Sequence, residues 1–252
     1  MDGKEIERAA ELLLKAQKAC AFTGAGVSTE SGIPDFRSPG TGLWSNPEAL
    51  ALATGEAFLR DPARFYRFFL PMWQDYRRAR PNPAHRALAE LEEMGILRGV
   101  ITQNIDGLHR KAGSRVVWEV HGNLENLICT RCRRTAPFDL AEEAWAKDDL
   151  PPRCACGGIL RPNIVLFGEP MAPDFHRAAV FLRQGCDLLL VVGSSLTVYP
   201  AAILVDYARE LIIVNREPTP ADDRAAVVLR GQAGIILPKI VEAVKARRRR
   251  GC

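Results

Sequence analysis

Hydrophobic residues recur along this chain with two different periods, and the changes between them mark out its elements. Ile6, Ala9, Ala10, Leu13 and Leu14 repeat at helical spacing, which predicts an amphipathic helix over residues 6–18. The short apolar run Ala19–Thr23 then stops at Gly24-Ala25-Gly26, the pattern of a strand ending in a glycine turn. Asn82 and Pro83 supply an N-cap and a first-turn proline for a helix to Met94, which Gly95 closes. Residues 99–102 read as a strand that runs into the polar turn Gln103-Asn104-Ile105-Asp106. Residues 116–120 read as another, which delivers His121 and Gly122. Further on come a strand at Leu188–Val192, the turn Gly193-Ser194-Ser195, and a helix over 200–209. Strands follow at 211–214 and 227–229, with a final helix from Pro238 into the basic tail. Apolar strands alternating with helices predict an α/β fold class, a mostly parallel sheet covered on both faces.

Two stretches interrupt this alternation. Residues 32–83 mix prolines with aromatics and read as a loop plus short helices. Residues 129–158 carry four of the seven cysteines and read as an insertion. A length of 252 residues allows one large domain, or one domain with a small module. Apolar residues make up 47% of the chain, enough for a sizeable core, which excludes disorder as the main state. The longest strongly apolar run, Leu188–Val192, is far too short to span a membrane. Residues 2–18 mix acids and bases, so no signal peptide is expected, and the expected location is cytoplasmic. Net charge is +4, and four of the positive charges are Arg247 to Arg250, so the rest of the chain sums to zero. The body therefore gives no case for direct nucleic-acid binding. The tail reads as a solvated, frayed helix end, with weak contact to an anionic polymer as the functional alternative.

Chemistry in an open α/β sheet gathers beyond the carboxyl ends of its strands. Four strand ends here are small or polar: Thr23-Gly24-Ala25-Gly26, the turn from Gln103 to Asp106, Gly193-Ser194-Ser195, and Asn215-Arg216-Glu217. Glycine and serine turns let backbone N–H groups approach a pyrophosphate. Gly24-x-Gly26 lacks the third glycine of the dinucleotide fingerprint, since Thr29 stands there, but four such turns together suggest a dinucleotide or a similarly large anion. In Asp35-Phe36-Arg37 the arginine suits a phosphate and the phenylalanine could shield a reactive carbon; a surface arginine beside a buried phenylalanine is the plainer alternative. His121 suits a general base, with a core histidine or a metal ligand near Cys129 as alternatives. His85 and His176 read as structural, and His109 is assigned no role. Cys129-x2-Cys132 and Cys154-x-Cys156 resemble the two knuckles of a zinc ribbon, and four thiolates imply a closed structural Zn²⁺ site. The second knuckle is one residue short, which leaves distorted geometry, or His121 in place of one thiol, open. A ribbon that reads nucleic acid is the alternative, but acids from Asp139 to Asp149 offset Arg131, Arg133, Arg134 and Arg153. An odd cysteine count argues against a disulfide framework, and Cys20, Cys186 and Cys252 read as buried or incidental.

Taken in order, these motifs resemble the sirtuins, the NAD-dependent protein-lysine deacylases. The resemblance rests on the run from Gly24 through Ser28, Thr29, Ser31 and Gly32 to Arg37, and on Thr102-Gln103-Asn104-Ile105-Asp106-Gly107-Leu108-His109. His121-Gly122, the two cysteine pairs, the run Arg161-Pro162-Asn163-Ile164-Val165-Leu166-Phe167-Gly168-Glu169, and Gly193-Ser194-Ser195-Leu196-Thr197-Val198 follow in family order. It covers residues from about 19 to 244. It implies a Rossmann-like NAD-binding domain of residues 1–38, 84–124 and 161–252. A small domain would combine a helical module at 39–83 with a zinc module at 125–160. NAD, consumed as a co-substrate, would lie between them beside an acyl-lysine peptide. The resemblance implies His121 as general base and Asn104 as its catalytic companion. Gly24, Ala25, Gly26, Ser28, Thr29, Asp35, Phe36, Arg37, Gln103, Ile105, Asp106, Gly193, Ser194, Ser195, Asn215, Arg216, Glu217 and Ala233 would contact NAD. Val165, Leu166 and Phe167 would lie beside the peptide and acyl chain.

Sirtuins that remove succinyl or malonyl groups resemble one another in a Tyr-x2-Arg pair in the helical segment. Here the corresponding positions are Phe69 and Met72, which lack the cation an acidic acyl group requires. Acetyl or a longer apolar acyl group is therefore expected over succinyl. The expected partners are acylated-lysine proteins, chromatin or metabolic proteins among them, met by a monomer that binds no membrane. Two other readings stay open at this stage: protein ADP-ribosylation at the same NAD site, and a non-catalytic NAD sensor.

Overall fold

The computed structural model describes residues 3–35 and 42–250. Helix α1 (Gly3–Lys15) starts and ends three residues earlier than the expected span. It buries Ala9, Ala10 and Leu13 of the predicted face, with Leu12 beside them, while Ile6 and Leu14 are half-buried. Strand β1 (Ala19–Thr23) is buried along its whole length. Helices α2 (Pro47–Leu52), α3 (Gly55–Arg60), α4 (Pro62–Arg78) and α5 (Pro83–Glu93) precede β2 (Leu97–Thr102), α6 (Leu108–Lys111) and β3 (Val117–Glu119). Then come β4 (Gly122–Cys129), β5 (Thr135–Pro137), α7 (Asp139–Ala146) and β6 (Leu160–Ile164). Helix α8 (Pro173–Arg183), β7 (Leu188–Val192), β8 (Glu210–Asn215), β9 (Val227–Arg230) and α9 (Ala233–Arg250) complete the chain.

Six strands form one sheet in the order β3-β2-β1-β7-β8-β9, with every pair parallel. Its central strands are apolar at consecutive positions because each face meets a separate core. Ala19 and Ala21 of β1 join α1, α5 and α9 on one face, while Cys20 and Phe22 join α8 on the other. β7 and β8 divide in the same way. The chain leaves β1 toward β2 on one side and returns to β7 on the other, so the topology switches between β1 and β7.

A second, antiparallel sheet has the order β5-β4-β6. It shares a third core with α4, where Phe65, Phe69 and Trp73 line one stripe and the Phe69 and Trp73 rings stack at 5.3 Å. The short helices expected over 32–83 are present as α2 and α3, of six residues each, but they are followed by the 17-residue α4, which the sequence did not lead one to expect. Asp61 caps it and Pro62 occupies its first turn, but Pro71 lies inside it. Aromatic packing at i, i+4 and i+8 outweighs the hydrogen bond that Pro71 removes. The expected helix at 200–209 is a 3-10 helix at Ala201–Tyr207. The last helix begins at Ala233, five residues before the expected Pro238. Strands β4 and β6 and helices α7 and α8 had no counterpart in the sequence reading.

The basic tail is only partly free. Arg247 pairs with Glu7 at 2.8 Å and Arg248 donates to the Met94 carbonyl at 3.0 Å, while Arg249 and Arg250 are exposed. A continuous last turn of α9 thus replaces the expected frayed end. Among the described residues no helix is long and apolar enough to cross a membrane.

Phe65 is fully buried and touches the rings of Phe58, Tyr66, Phe69 and Trp73. Phe65→Ala should cost about 3–5 kcal/mol, read as a lower midpoint in urea unfolding. A loss below about 1 kcal/mol would show that this core tolerates collapse at α4.

Candidate functional site

A cavity of about 650 Å³ opens at the carboxyl ends of β1, β2, β7 and β8, facing the second sheet. Its walls include Gly24, Ala25, Gly26, Thr29, Asp35, Gln103, Asn104, Ile105 and His121. Gly193, Ser194, Ser195, Asn215, Arg216, Glu217, Ala233 and the segment Val165, Leu166, Phe167 complete the predicted set found there. Ser28 and Asp106 are buried beneath this surface and do not line it. Phe36 and Arg37 lie outside the described residues.

The glycines have a use that their spacing did not reveal. A Cβ on Gly24 would stand 2.9 Å from the Gly193 carbonyl oxygen, and one on Gly26 would stand 2.8 Å from it. Gly193 has a φ of +59°, and a Cβ there would meet the Val27 nitrogen at 2.2 Å. The two turns are packed backbone on backbone, joined by the Gly26 N–H to the Gly193 carbonyl at 2.9 Å. Gln103 links the next strand end by donating to Ser194 Oγ at 3.0 Å.

Below the turns lies a buried polar network. Ser28 donates to Asp106 at 2.7 Å and accepts from Asn104 Nδ2 at 3.0 Å. The other Asp106 oxygen accepts the Leu108 N–H at 2.9 Å. Burial pushes the Asp106 carboxyl above its ordinary range, against these hydrogen bonds. His85 Nδ1 accepts the Asn82 N–H at 3.3 Å, so its proton sits on Nε2, which faces Ser28 Oγ at 3.4 Å. Burial pushes His85 down to about 4, so it is neutral at pH 7. His109 is also buried, with Nε2 on Thr23 Oγ1 at 2.9 Å. His85 and His109 thus belong to the support of the site, and His176 lies on α8, outside the cavity lining. Asn104 Oδ1 is buried with no protein partner, although Asn104 lines the cavity. An orphaned acceptor there fits a ligand that brings a hydrogen-bond donor.

His121 is held differently. Its Nδ1 lies 2.9 Å from the Gln103 carbonyl. A carbonyl only accepts, so Nδ1 carries the proton and Nε2 keeps a free lone pair. Burial lowers the His121 pKa below its ordinary value, and the Gln103 bond opposes the shift. The ring is therefore a neutral base at pH 7. The His121 carbonyl in turn accepts the Val165 N–H at 2.8 Å, which joins the base to the cavity segment 165–167.

Cys129, Cys132, Cys154 and Cys156 have their sulfurs within 4.8 Å of one another. The N–H groups of Arg131 and Cys132 both point at Cys129 Sγ, at 3.4 Å each. Four converging thiols with this knuckle fit one tetrahedral structural zinc ion, and the short second knuckle does not prevent the convergence. His121 belongs to the cavity and takes no part in this cluster, which removes the substitute-ligand reading. Cys20 and Cys186 are buried away from it, and Cys252 lies outside the described residues.

The model of the Sir2 family matches residues 24–200. The chain belongs to the Sir2 family. An NAD-dependent protein deacetylase 2 of Caldanaerobacter subterraneus subsp. tengcongensis is 48% identical over 98% of this chain and 99% of that protein. An NAD-dependent protein deacylase 2 of Pyrobaculum aerophilum is 47% identical over 95% and 96%. A solved structure described as Sir2 with a deacetylated p53 peptide and 3'-O-acetyl-ADP-ribose is 37% identical, with a TM-score of 0.88. It is matched over 94% of this chain and 97% of its own.

Within this Sir2-family fold the cavity has an apolar wall that the sequence reading largely missed. Trp44, Phe65, Trp73 and Tyr76 line it, beside Phe69 and Met72. The missed signal was helical: positions 65, 69, 72, 73 and 76 share one face of α4, but the neighbouring prolines argued against a long helix.

Removing the metal gives a direct test of the cysteine cluster. The purified chain should carry one zinc ion per molecule by atomic emission. Chelation, or Cys132→Ser, should lower the unfolding temperature by several degrees, because thiolate binding orders a segment with little core of its own. A chain that holds no zinc and is indifferent to Cys132→Ser would rule out the site.

Proposed function

We propose that this chain removes acetyl or other apolar acyl groups from lysine side chains of proteins, consuming NAD and yielding nicotinamide, O-acyl-ADP-ribose and free lysine. The observation that carries this reading is His121: its Nδ1 is pinned by Gln103, its Nε2 is free, and it stands between four strand-end turns and the segment 165–167. A sensor needs a pocket but no neutral base poised within it, which favours the enzyme over the binding module.

The residues divide the work by position. Bound NAD supplies an electrophilic ribose carbon. The N–H groups of Gly24, Gly26 and Gly193 are bonded to the carbonyls of Val192, Gly193 and Val214. The turns therefore offer the pyrophosphate the N–H groups of Ala25, Ser194 and Ser195 and the serine hydroxyls, and Asn215, Arg216 and Glu217 reach the adenosine end. Asn104, braced from below by the Ser28–Asp106 pair, holds the nicotinamide ribose and carboxamide, using its unpartnered oxygen. Residues 165–167 flank the peptide with their side chains, since their N–H groups are already bonded to His121, Glu169 and Ala53. A peptide strand held chiefly through its main chain is expected to show little sequence selectivity. Phe65, Phe69, Met72 and Trp73 keep water from the reacting carbon. His121 Nε2 removes a proton from a ribose hydroxyl after the acyl oxygen has displaced nicotinamide. The same site would transfer ADP-ribose if another nucleophile intercepted the sugar, and the mass of the product separates the two outcomes.

The decisive assay is nicotinamide release from NAD, with and without an acetyl-lysine peptide, and mass analysis of both products. Release should require the peptide and be matched by O-acetyl-ADP-ribose. A succinyl peptide should be slower by at least about a hundredfold, since its carboxylate would be buried against Phe69 and Met72 without a cation. Faster succinyl removal would overturn the acyl assignment.

The pH profile follows from His121. The base works when neutral, and burial holds its pKa below the ordinary imidazole value. Activity should therefore fall as pH drops through a midpoint under that ordinary value and rise to a plateau about one pH unit above the midpoint. His121→Ala should lose on the order of 10²–10⁴-fold. A midpoint above pH 7, or an active alanine variant, would assign the proton transfer elsewhere.

A further inference from the structure

The segment 165–167 is held by an ion pair that the proposed chemistry does not use. Arg161, on β6, meets Glu169 with both terminal nitrogens, one on each carboxylate oxygen, the Nη2–Oε2 distance being 2.8 Å. The same Nη2 donates to the Ile164 carbonyl at 2.9 Å, and the Leu166 N–H donates to Glu169 Oε2 at 2.9 Å. Both side chains are mostly buried, with 18% and 21% exposed. The guanidinium also lies 5.5 Å from the centre of the Phe58 ring. One bidentate pair therefore ties the entry, the middle and the exit of the loop from Ile164 to Glu169.

The pair also fastens this loop to the helical segment. Phe167 exchanges backbone hydrogen bonds with Ala53 and Gly55, at 2.9 and 3.2 Å. A Cβ on Gly55 would stand 2.9 Å from Glu169 Oε1, so a glycine there lets the carboxylate sit against the start of α3. Burial disfavours the charged carboxylate, but Arg161 and the Leu166 N–H outweigh it and hold Glu169 below the ordinary range. Arg161 itself does not line the cavity.

We infer that Arg161 and Glu169 are positioning residues for the acyl-lysine peptide: their ion pair holds residues 165–167 at the spacing from His121 that lets a peptide strand seat, and so sets affinity for the peptide and not for NAD. The inference rests on the deacylase reading above. Charge and shape are both required. A lysine supplies one point charge where the guanidinium fork makes two parallel bonds and a third to Ile164. A glutamine keeps an acceptor for the Leu166 N–H but loses the charge that orders the fork.

The test uses the full chain and measures KM for an acetyl-lysine peptide and for NAD separately, with peptide binding followed by fluorescence anisotropy. Arg161→Lys and Glu169→Gln should each raise the peptide KM and weaken peptide binding about tenfold, with the KM for NAD moving less than about twofold. Arg161→Met should raise the peptide KM further than Arg161→Lys. The Arg161→Met/Glu169→Met pair should do no more harm than the worse single change, the non-additivity of residues acting as a unit. Glu169→Asp keeps the charge on a shorter arm and provides a milder variant should the others unfold; its peptide KM should rise too. A KM for NAD that climbs in step with the peptide KM, or folded variants with unchanged peptide binding, would overturn the inference. A wild-type chain that binds acyl peptide but releases no nicotinamide would instead overturn the deacylase reading.

Discussion

The contact between two backbone turns is the constraint on which the site depends. Gly24 and Gly26 at the end of β1 rest directly on Gly193 at the end of β7, with no side chain between them. This is where the sheet order switches, the chain continuing from β1 to β2 on one side and from β7 to β8 on the other. A side chain at any of these three positions would separate the turns and with them the hydroxyl of Ser194, the amide of Gln103 and the walls of the cavity. The glycines therefore serve the packing of the protein against itself before they serve any ligand.

Polar groups around the cavity fall into two layers with opposite demands. The lower layer is tied together: Ser28 bonds Asp106, Asn104 Nδ2 and His85, and Thr23 bonds Thr102 and His109 Nε2. His109 Nδ1 lacks a protein partner, and burial keeps both histidines neutral. Such a network is rigid because each lost partner would leave a buried group unpaired. The upper layer is open. Asn104 Oδ1 has no protein partner, and the tautomer of His121 leaves Nε2 free. Rigidity below fixes the aim of the free groups above, which is the arrangement a preorganised site requires.

The parallel sheet was legible because a strand covered on both faces must be apolar at consecutive positions, and Leu188–Val192 could be little else. The strand-end residues were legible because small and polar types stood where such sheets open. The zinc site could be read from four cysteines alone. Helix α4 was hidden, since Pro71 signals a break locally and only the packing of Phe65, Phe69 and Trp73 overrides it. Strand β6 was hidden too, because Pro162 breaks its pattern and its partner β4 lies more than thirty residues away in sequence. Ser28 and Asp106 were assigned by motif to the ligand's surroundings, yet their burial beneath the surface depends on tertiary distances that no spacing encodes. The Arg161–Glu169 pair stood in plain view within one motif, but its partners Gly55 and Phe58 come from a distant segment.

One feature of β4 has a mechanical consequence. Gly122, with φ +77°, follows His121 directly, and a Cβ on it would stand 2.0 Å from the Asn163 carbonyl oxygen. His121 and β6 are thus pressed together at the root of the antiparallel sheet, while the imidazole reaches across to the end of β2 through Gln103. Backbone against backbone leaves no compliant side chain between them, so any displacement of β6 carries the imidazole with it, and the separation of His121 from residues 165–167 is fixed by main-chain contact.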